Sequence, residues 1–290
     1  MTEHLVMQTI YMRIISCFVF SIFIAYCNSN TSNKIDHSIN LRSTSSGYRT
    51  IRDIPVPTGY KRIAEETNSF GGWLRRIDLK QDRRIYLFNG KLRDDQSTQF
   101  AVLDMPVGDK DLQQCADAIM RLRAEYFFNQ DNIDSICFKA TDGTNLSFVK
   151  WINGERYCLK GTRLTAYNSG VAGRNKRQQL EQFLEVVFSY CGTISLNKET
   201  RPVKDLDSLH AGDIFIKAGS PGHAMIVVDV AVNNRGEKVF MLVQGFMPAQ
   251  SIHIVKNLLD ETISPWYKVT DDPKIITPEW VFCRDQLKTW

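Results

Sequence analysis

Two long apolar stretches separated by a short turn constrain the fold of this chain more than any other feature. The first, His223–Val232, reads HAMIVVDVAV, and the second, Val239–Gln244, returns after the turn Asn233–Gly236. A third short stretch, Ile214–Ile216, precedes them and ends at the turn Gly219–Gly222. Strands joined by such short turns pair antiparallel. The sequence therefore predicts an antiparallel sheet in the last third of the chain.

Apolar residues at helical spacing predict two helices. The first covers roughly residues 109–128 and carries Asp109 and Asp111 where a helix N-terminus favours negative charge. The second follows the stripe along residues 180–191 and ends at Gly192 as a C-cap. Two further strands are predicted, at Ile85–Phe88 and Phe100–Met105. The expected fold class is α+β, with a central antiparallel sheet and the long helix of the N-terminal half packed against it.

The N-terminus carries the pattern of an export signal. Ile14–Tyr26 is an uncharged apolar run of 13 residues preceded by Arg13. This length is short for a helix that spans a bilayer and typical of the apolar core of a signal peptide. Met12 opens a more typical signal than Met1 does, so translation can begin at either residue. We expect residues 1–27 to direct export to the periplasm or outer membrane, or secretion.

The end of this run resembles the lipobox of bacterial lipoproteins. Ile24–Cys27 is followed by a polar run, and Cys27 takes the position of the lipid-bearing cysteine. Tyr26 stands where a small residue is usual, so cleavage with release and an uncleaved anchor are the alternatives. Residues 28–50 are rich in Ser, Thr and Asn and predict a flexible tether between the membrane and one globular domain, residues 51–290.

Charge and cysteine usage exclude several classes of partner. The 36 basic and 32 acidic residues are spread along the chain without basic runs, so no nucleic-acid partner is expected. Of the seven cysteines, Cys17 and Cys27 lie in the signal, which leaves an odd number in the domain. Their spacing contains no C-x-x-C motif and no Cys/His cluster, so we predict no metal site. No nucleotide motif is present either, and no cofactor is expected.

Three residues could form the catalytic group of a cysteine hydrolase, which needs a thiol, a base and a residue that orients the base. Cys115 lies in the opening turns of the first helix, where free N–H groups and the helix dipole lower a thiol pKa. His223 begins a strand at the end of the sheet. Gln244 falls opposite or diagonal to it across the hairpin, within reach of the imidazole.

Structural roles fit the same residues. Cys115 lies on the apolar stripe of its helix and could be a buried core thiol. His223 beside its turn could be a structural histidine. Cys191 closes an apolar stripe without a neighbouring base, which favours a structural role. His253, in the alternating segment Ser251–Val255, is predicted to face solvent or a groove and is the spare candidate base.

Several motifs carry a resemblance over nearly the whole mature chain. The chain resembles an uncharacterised family of secreted Bacteroidetes proteins known as domain of unknown function 4846. The motifs are Leu112–Ala118, Arg121–Tyr126, Gly212-Asp213, Pro221–Ala224 and Met247–Gln250. More distantly, a cysteine at a helix start, a Gly-Asp before a strand and a Gly-His opening the next strand are similar to CHAP-type and NlpC-type cysteine amidases, which cleave cell-wall peptides.

The distant resemblance implies a papain-like or NlpC-like arrangement with specific residue roles. Cys115 would be the nucleophile, His223 the base and Gln244 the residue that orients it, with Gln113 or Gln114 near the oxyanion. The expected function is a cell-envelope cysteine hydrolase of amide bonds, with peptidoglycan peptides as the substrate class. The alternative is a non-catalytic envelope lipoprotein that binds a glycan, a peptide or a protein partner.

Overall fold

The computed structural model describes residues 47–170 and 175–290. The expected signal segment with Cys27, and all of the expected tether except its last residues, lie outside this range. Within it, no helix is both long enough and apolar enough to cross a bilayer.

An antiparallel sheet of nine strands forms the centre of the molecule. The strands of the structure are β1 (Tyr60–Arg62), β2 (Gln99–Val102), β3 (Cys137–Lys139), β4 (Asn145–Ser147), β5 (Glu155–Lys160), β6 (Arg163–Asn168), β7 (Arg201–Pro202), β8 (Ile214–Lys217), β9 (His223–Asn233), β10 (Lys238–Gln244), β11 (His253–Val255), β12 (Trp266–Lys268), β13 (Lys274–Ile276), β14 (Val281–Cys283) and β15 (Leu287–Thr289). The order across the sheet is β2-β11-β10-β9-β8-β15-β7, with β1 beside β9 and β12 beside β10. Each of these pairs is antiparallel, which confirms the predicted sheet.

The apolar run of β9 is explained by burial on both faces of the sheet. Ala224, Ile226 and Val228 belong to one apolar cluster, whereas Met225 and Val227 belong to a second cluster on the opposite face. Successive side chains of a strand point to opposite faces, so a strand covered on both sides needs apolar residues at every position.

The helices are α1 (Phe70–Leu74), α2 (Cys115–Asn129), α3 (Phe148–Ile152), α4 (Lys176–Tyr190) and α5 (Thr193–Glu199). The long helix α2 packs against β9, as expected for the helix of the N-terminal half. The chain is thus a mixed α and β protein with a mostly antiparallel sheet.

The predicted start of the first helix was wrong by about six residues. Helix α2 begins at Cys115, not near residue 109, and Gln114 is its N-cap residue. The Asp111 carboxylate accepts a hydrogen bond from the Ala249 N–H at 2.6 Å, so it is tied to a distant loop rather than to a helix. Asp117 Oδ2 accepts from the Gln114 N–H at 3.0 Å and closes the true N-terminus.

Three other predicted boundaries differ from the structure. Residues 85–88 form only isolated bridges instead of a strand, and β2 covers only the first part of the second predicted strand. Helix α4 ends with Cys191 as its C-cap, because the Cys191 N–H donates to the Val187 carbonyl while its backbone is already extended. Gly192 instead precedes α5 as its N-cap.

Candidate active site

A cavity of about 350 Å³ lies where the starts of α2 and β9 meet the junction of α4 and α5. Cys115 and His223 both line it. The other polar side chains of its wall are Asp111, Gln114, Asp117, Cys191, Thr193 and Ser220. The sheet and the long helix therefore bring the predicted thiol and the predicted base, far apart in the sequence, to one cavity.

Cys115 is the first residue of α2, a position that follows from the Gln114 N-cap. Burial raises the pKa of its thiol, and the neighbouring Asp117 raises it further. Hydrogen bonds from the backbone N–H groups of Ala224 and Ala116 act in the opposite direction without reversing the result. The resting thiol is therefore protonated at neutral pH.

The imidazole of His223 is held by a chain of hydrogen bonds whose donors can be assigned. The Ser251 carbonyl can only accept, so His253 donates from Nδ1 at 2.9 Å. Its Nε2 lies 3.1 Å from Gln244 Nε2, and Gln244 Oε1 accepts from His223 Nε2 at 2.7 Å. The proton of His223 is thus on Nε2, and Nδ1 keeps its lone pair.

Glu279 fixes the orientation of the Gln244 amide that holds His223. Gln244 Nε2 donates to Glu279 Oε2, and a flipped amide would instead face that carboxylate with its carbonyl oxygen. Burial by itself would raise the pKa of Glu279, but the hydrogen bonding and charge of His253 and the ion pair with Arg93 lower it to about 2. The carboxylate is therefore ionised and holds the amide in one orientation.

His223 is nearly fully buried and packs against the rings of Phe246, Trp280 and Phe282. Burial lowers its pKa to about 4, although the hydrogen bond to Gln244 opposes this shift. At neutral pH the imidazole is uncharged, so its Nδ1 can accept a proton.

Asp117 is a polar residue of the cavity that sequence reasoning missed. Its side chain is buried, and its Oδ1 has no hydrogen-bond partner among the described residues. Burial raises the pKa of this carboxyl to about 8. An aspartate in the first turn of a helix is so common as a cap that its position alone could not single it out.

The remaining predicted residues divide between the cavity and the core. Gln114 lines the cavity, and its side-chain amide donates to Asp111 at 3.2 Å. Gln113 does not line it; its Oε1 accepts from Arg121 at 2.6 Å. Cys191 lies in the cavity wall, where burial raises its thiol pKa.

His253 is fully buried, so the prediction that it faces solvent or a groove was wrong. Both of its ring nitrogens are engaged, and it acts on the cavity only through Gln244. Among the described residues, no group of three or more His, Cys, Asp or Glu side chains could hold a metal ion.

Comparison with known proteins gives one match. A family described as domain of unknown function 4846 matches residues 51–289. No curated protein and no solved structure matches the chain.

Proposed function

We propose a function from the cavity itself, because the chain belongs to the family described as domain of unknown function 4846 and that description assigns no activity. The proposed function is hydrolysis of amide bonds by a cysteine nucleophile, in a papain-like or NlpC-like arrangement. The substrate class is peptides of the cell envelope, with peptidoglycan peptides as the first choice.

One observation carries the proposal. Gln244, whose amide is oriented by Glu279, accepts from His223 Nε2, so Nδ1 is the unprotonated nitrogen of a histidine that shares its cavity with Cys115. A structural histidine needs partners but no particular tautomer. A general base needs an unprotonated acceptor nitrogen near its nucleophile, and this tautomer in a cavity shared with Cys115 supports that role.

The proposed reaction begins as Cys115 Sγ bonds to the amide carbonyl carbon and its proton passes to His223 Nδ1. The N–H groups at the start of α2 stabilise the oxyanion. The imidazolium gives its proton to the departing amine as the C–N bond breaks, which leaves a thioester on Cys115. Water then attacks the thioester, His223 takes one of its protons, and the thiol is regenerated as the carboxylic acid leaves.

The protonated thiol and the neutral imidazole determine the expected pH dependence. Attack requires proton transfer to His223, so we expect activity to fall as the pH decreases towards about 4, where His223 becomes protonated. Loss of the thiol proton before substrate binds is not required.

Hydrolysis of peptidoglycan peptides by the full chain tests this function. Mass spectrometry should detect products that have gained one water, and Cys115→Ala and His223→Ala should each lower the rate by roughly a thousandfold or more. Cys283→Ala, at an exposed thiol outside the cavity, is the matched control and should keep full activity. Equal rates for Cys115→Ala and the wild-type chain would contradict the proposal.

A second function, non-catalytic binding in the same cavity, is favoured by the raised pKa of the Cys115 thiol. A binding protein would retain a peptide without cleaving it. Binding that is unchanged in Cys115→Ala, together with no detectable product from the wild-type chain, would select this function.

We also propose that the chain acts outside the cytoplasm, in the periplasm or at the outer membrane, anchored by a lipid on Cys27. Metabolic labelling with an alkynyl fatty acid tests the anchor. The label should be present on the wild-type chain and absent from Cys27→Ala; a protein that is exported without label would support release after cleavage.

A further inference from the structure

Arg93 contacts two of the groups around His223, although it does not itself line the cavity of Cys115. Its Nη2 donates to Glu279 Oε1, on a residue 186 positions further along the chain. Its guanidinium also lies 5.9 Å from the ring centroid of Phe246, and this ring packs against the imidazole of His223 at a centroid distance of 5.2 Å. A cation outside the cavity is therefore linked to the surroundings of the proposed base.

The ion pair between Arg93 and Glu279 is mostly buried, because the two side chains are 14% and 8% exposed. Arg93 Nη1 also donates to Thr98 Oγ1 at 3.3 Å, which holds the guanidinium in place. Removal of two charges from water costs free energy that their attraction only roughly offsets, and apolar residues of similar size often stabilise a protein equally well. Net stabilisation therefore does not account for this pair, and its effect on the neighbouring hydrogen bonds has to be considered.

The two carboxylate oxygens of Glu279 have different partners. Oε1 accepts from Arg93, and Oε2 accepts from Gln244 Nε2. Because a carboxylate can only accept, Gln244 turns its NH₂ group towards Glu279 and its carbonyl oxygen towards His223 Nε2, 2.7 Å away. The position of the imidazole proton thus depends on a group two hydrogen bonds away.

Arg93 determines which kind of atom residue 279 presents on each side. A guanidinium has only donors, so the atom that faces it must be an acceptor. If residue 279 were an amide, its carbonyl oxygen would face Arg93 and its NH₂ group would face Gln244. Gln244 would then flip and present its own NH₂ group to His223 Nε2. The imidazole would carry its proton on Nδ1, and the unprotonated Nδ1 proposed for the general base would be lost.

We propose that Arg93 is a positioning residue for His223, which acts through Glu279 and Gln244 to determine which imidazole nitrogen carries the proton. The use of the other nitrogen as a general base rests on the proposed function. The tautomer itself does not, because all of the hydrogen bonds that determine it lie within the protein.

The nitrogen NMR shifts of the His223 ring test the proposal in the full chain without turnover, after isotope labelling of histidine and assignment with His223→Gln. The wild-type chain should show a protonated Nε2 and an unprotonated Nδ1 at neutral pH. Glu279→Gln should reverse this pattern, because Arg93 takes the carbonyl oxygen of the new amide. Glu237→Gln makes the same change in an exposed ion pair with Arg235 and should leave the shifts unchanged.

Arg93→Met combined with Glu279→Gln is the second variant, because it removes both buried charges together and leaves neither without compensation. Without the guanidinium, the amide at position 279 can turn its carbonyl oxygen to Gln244. The wild-type proton position should then return in at least part of the molecules. A proton on Nδ1 in the wild-type chain, a proton on Nε2 in Glu279→Gln, or a proton only on Nδ1 in the double variant overturns the proposal.

Hydrolysis rates separate this proposal from the proposed function. If His223 is the general base, the reversed tautomer in Glu279→Gln should lower kcat by about a hundredfold or more and change KM little, because a misplaced proton affects the chemical step. Reversed shifts in this variant, together with a wild-type chain that cleaves no amide, would support the positioning role and refute the proposed catalysis alone. Full activity of Glu279→Gln with its proton still on Nε2 would refute the positioning role alone.

Discussion

Strand β9 carries one buried aspartate and borders the cavity of another, and the two carboxyl groups are in opposite conditions. Towards its end, Asp229 is fully buried and accepts from Arg62 Nε at 2.6 Å and from Arg75 Nε at 2.5 Å. Its Oδ1 also accepts from the Val230 N–H at 2.9 Å. Both carboxylate oxygens are paired, and this cluster ties β1 and the segment after α1 to the sheet.

At its start, β9 borders the cavity of Cys115, where the buried Asp117 has one oxygen without a partner among the described residues. The same residue type is thus fully paired in one place and half satisfied in the other. Pairing of a buried charge holds segments of the chain together, whereas an incomplete pairing costs stability and leaves a group free for a ligand. The fully paired Asp229 is therefore a structural site, whereas the half-satisfied Asp117 is a candidate functional one.

The largest effect is expected from Asp229→Asn, which removes the charge between two guanidinium groups. Breaking a buried ion pair from one side destabilises a protein by about 3 to 5 kcal/mol, because the remaining charges lose their compensation. Urea unfolding of the wild-type chain and the variant measures the change in the free energy of unfolding.

Asp131→Asn is the control for this substitution, because Asp131 pairs with Lys176 on the surface. It should change the free energy of unfolding by no more than about 0.5 kcal/mol. If Asp229→Asn were as mild as this control, the cluster would not be the structural site that its pairing indicates.

Replacing Asp117 by Asn should raise the free energy of unfolding, whereas Asp229→Asn lowers it. The folded protein holds the Asp117 proton up to about pH 8, whereas an unfolded chain releases it near 3.8, so the stability of the wild-type chain falls as the pH rises between these values. Asn cannot ionise and still accepts the Gln114 N–H. Asp117→Asn should therefore gain roughly 2 to 4 kcal/mol relative to the wild type between about pH 5 and pH 8.

The pH series distinguishes this mechanism from a general packing effect. A gain of equal size at every pH would arise from packing and not from ionisation. A loss of stability at about pH 8 would mean that Asp117 is paired in the folded chain, and the contrast with Asp229 would disappear.

Sequence patterns predicted the parts of the molecule that local physical chemistry determines. The hairpin of β9 and β10 was predictable because its apolar runs and the turn between them lie within one short segment. The proximity of Gln244 to His223 followed from counting through that hairpin, and the hydrogen bond of 2.7 Å is present.

The parts that depend on distant residues were not predictable. The charges of Asp109 and Asp111 indicate a helix start, but the loop that holds Asp111 lies more than a hundred residues along the chain. His253 alternates like a surface residue, and its burial depends on β2 and on Glu279, which come from other parts of the sequence. The unpaired oxygen of Asp117 is a property of packing, and no local motif encodes it.

The smallest effect is expected at His223, the first residue of β9. As for Asp117, the pH dependence of stability measures it. Burial lowers the pKa of this imidazole from 6.5 to about 4, so the unfolded chain takes up a proton before the folded chain does. The stability of the wild-type chain should decrease as the pH falls from about 6.5 towards 4, by on the order of 1 to 2 kcal/mol between pH 7 and pH 5.

His223→Gln cannot titrate and should lose less stability over this range. The effect is smaller than at Asp117 because the pKa shift is smaller. If the two chains lost stability in parallel, His223 would be accessible to water in the folded state, and the uncharged base required at the cavity would be absent.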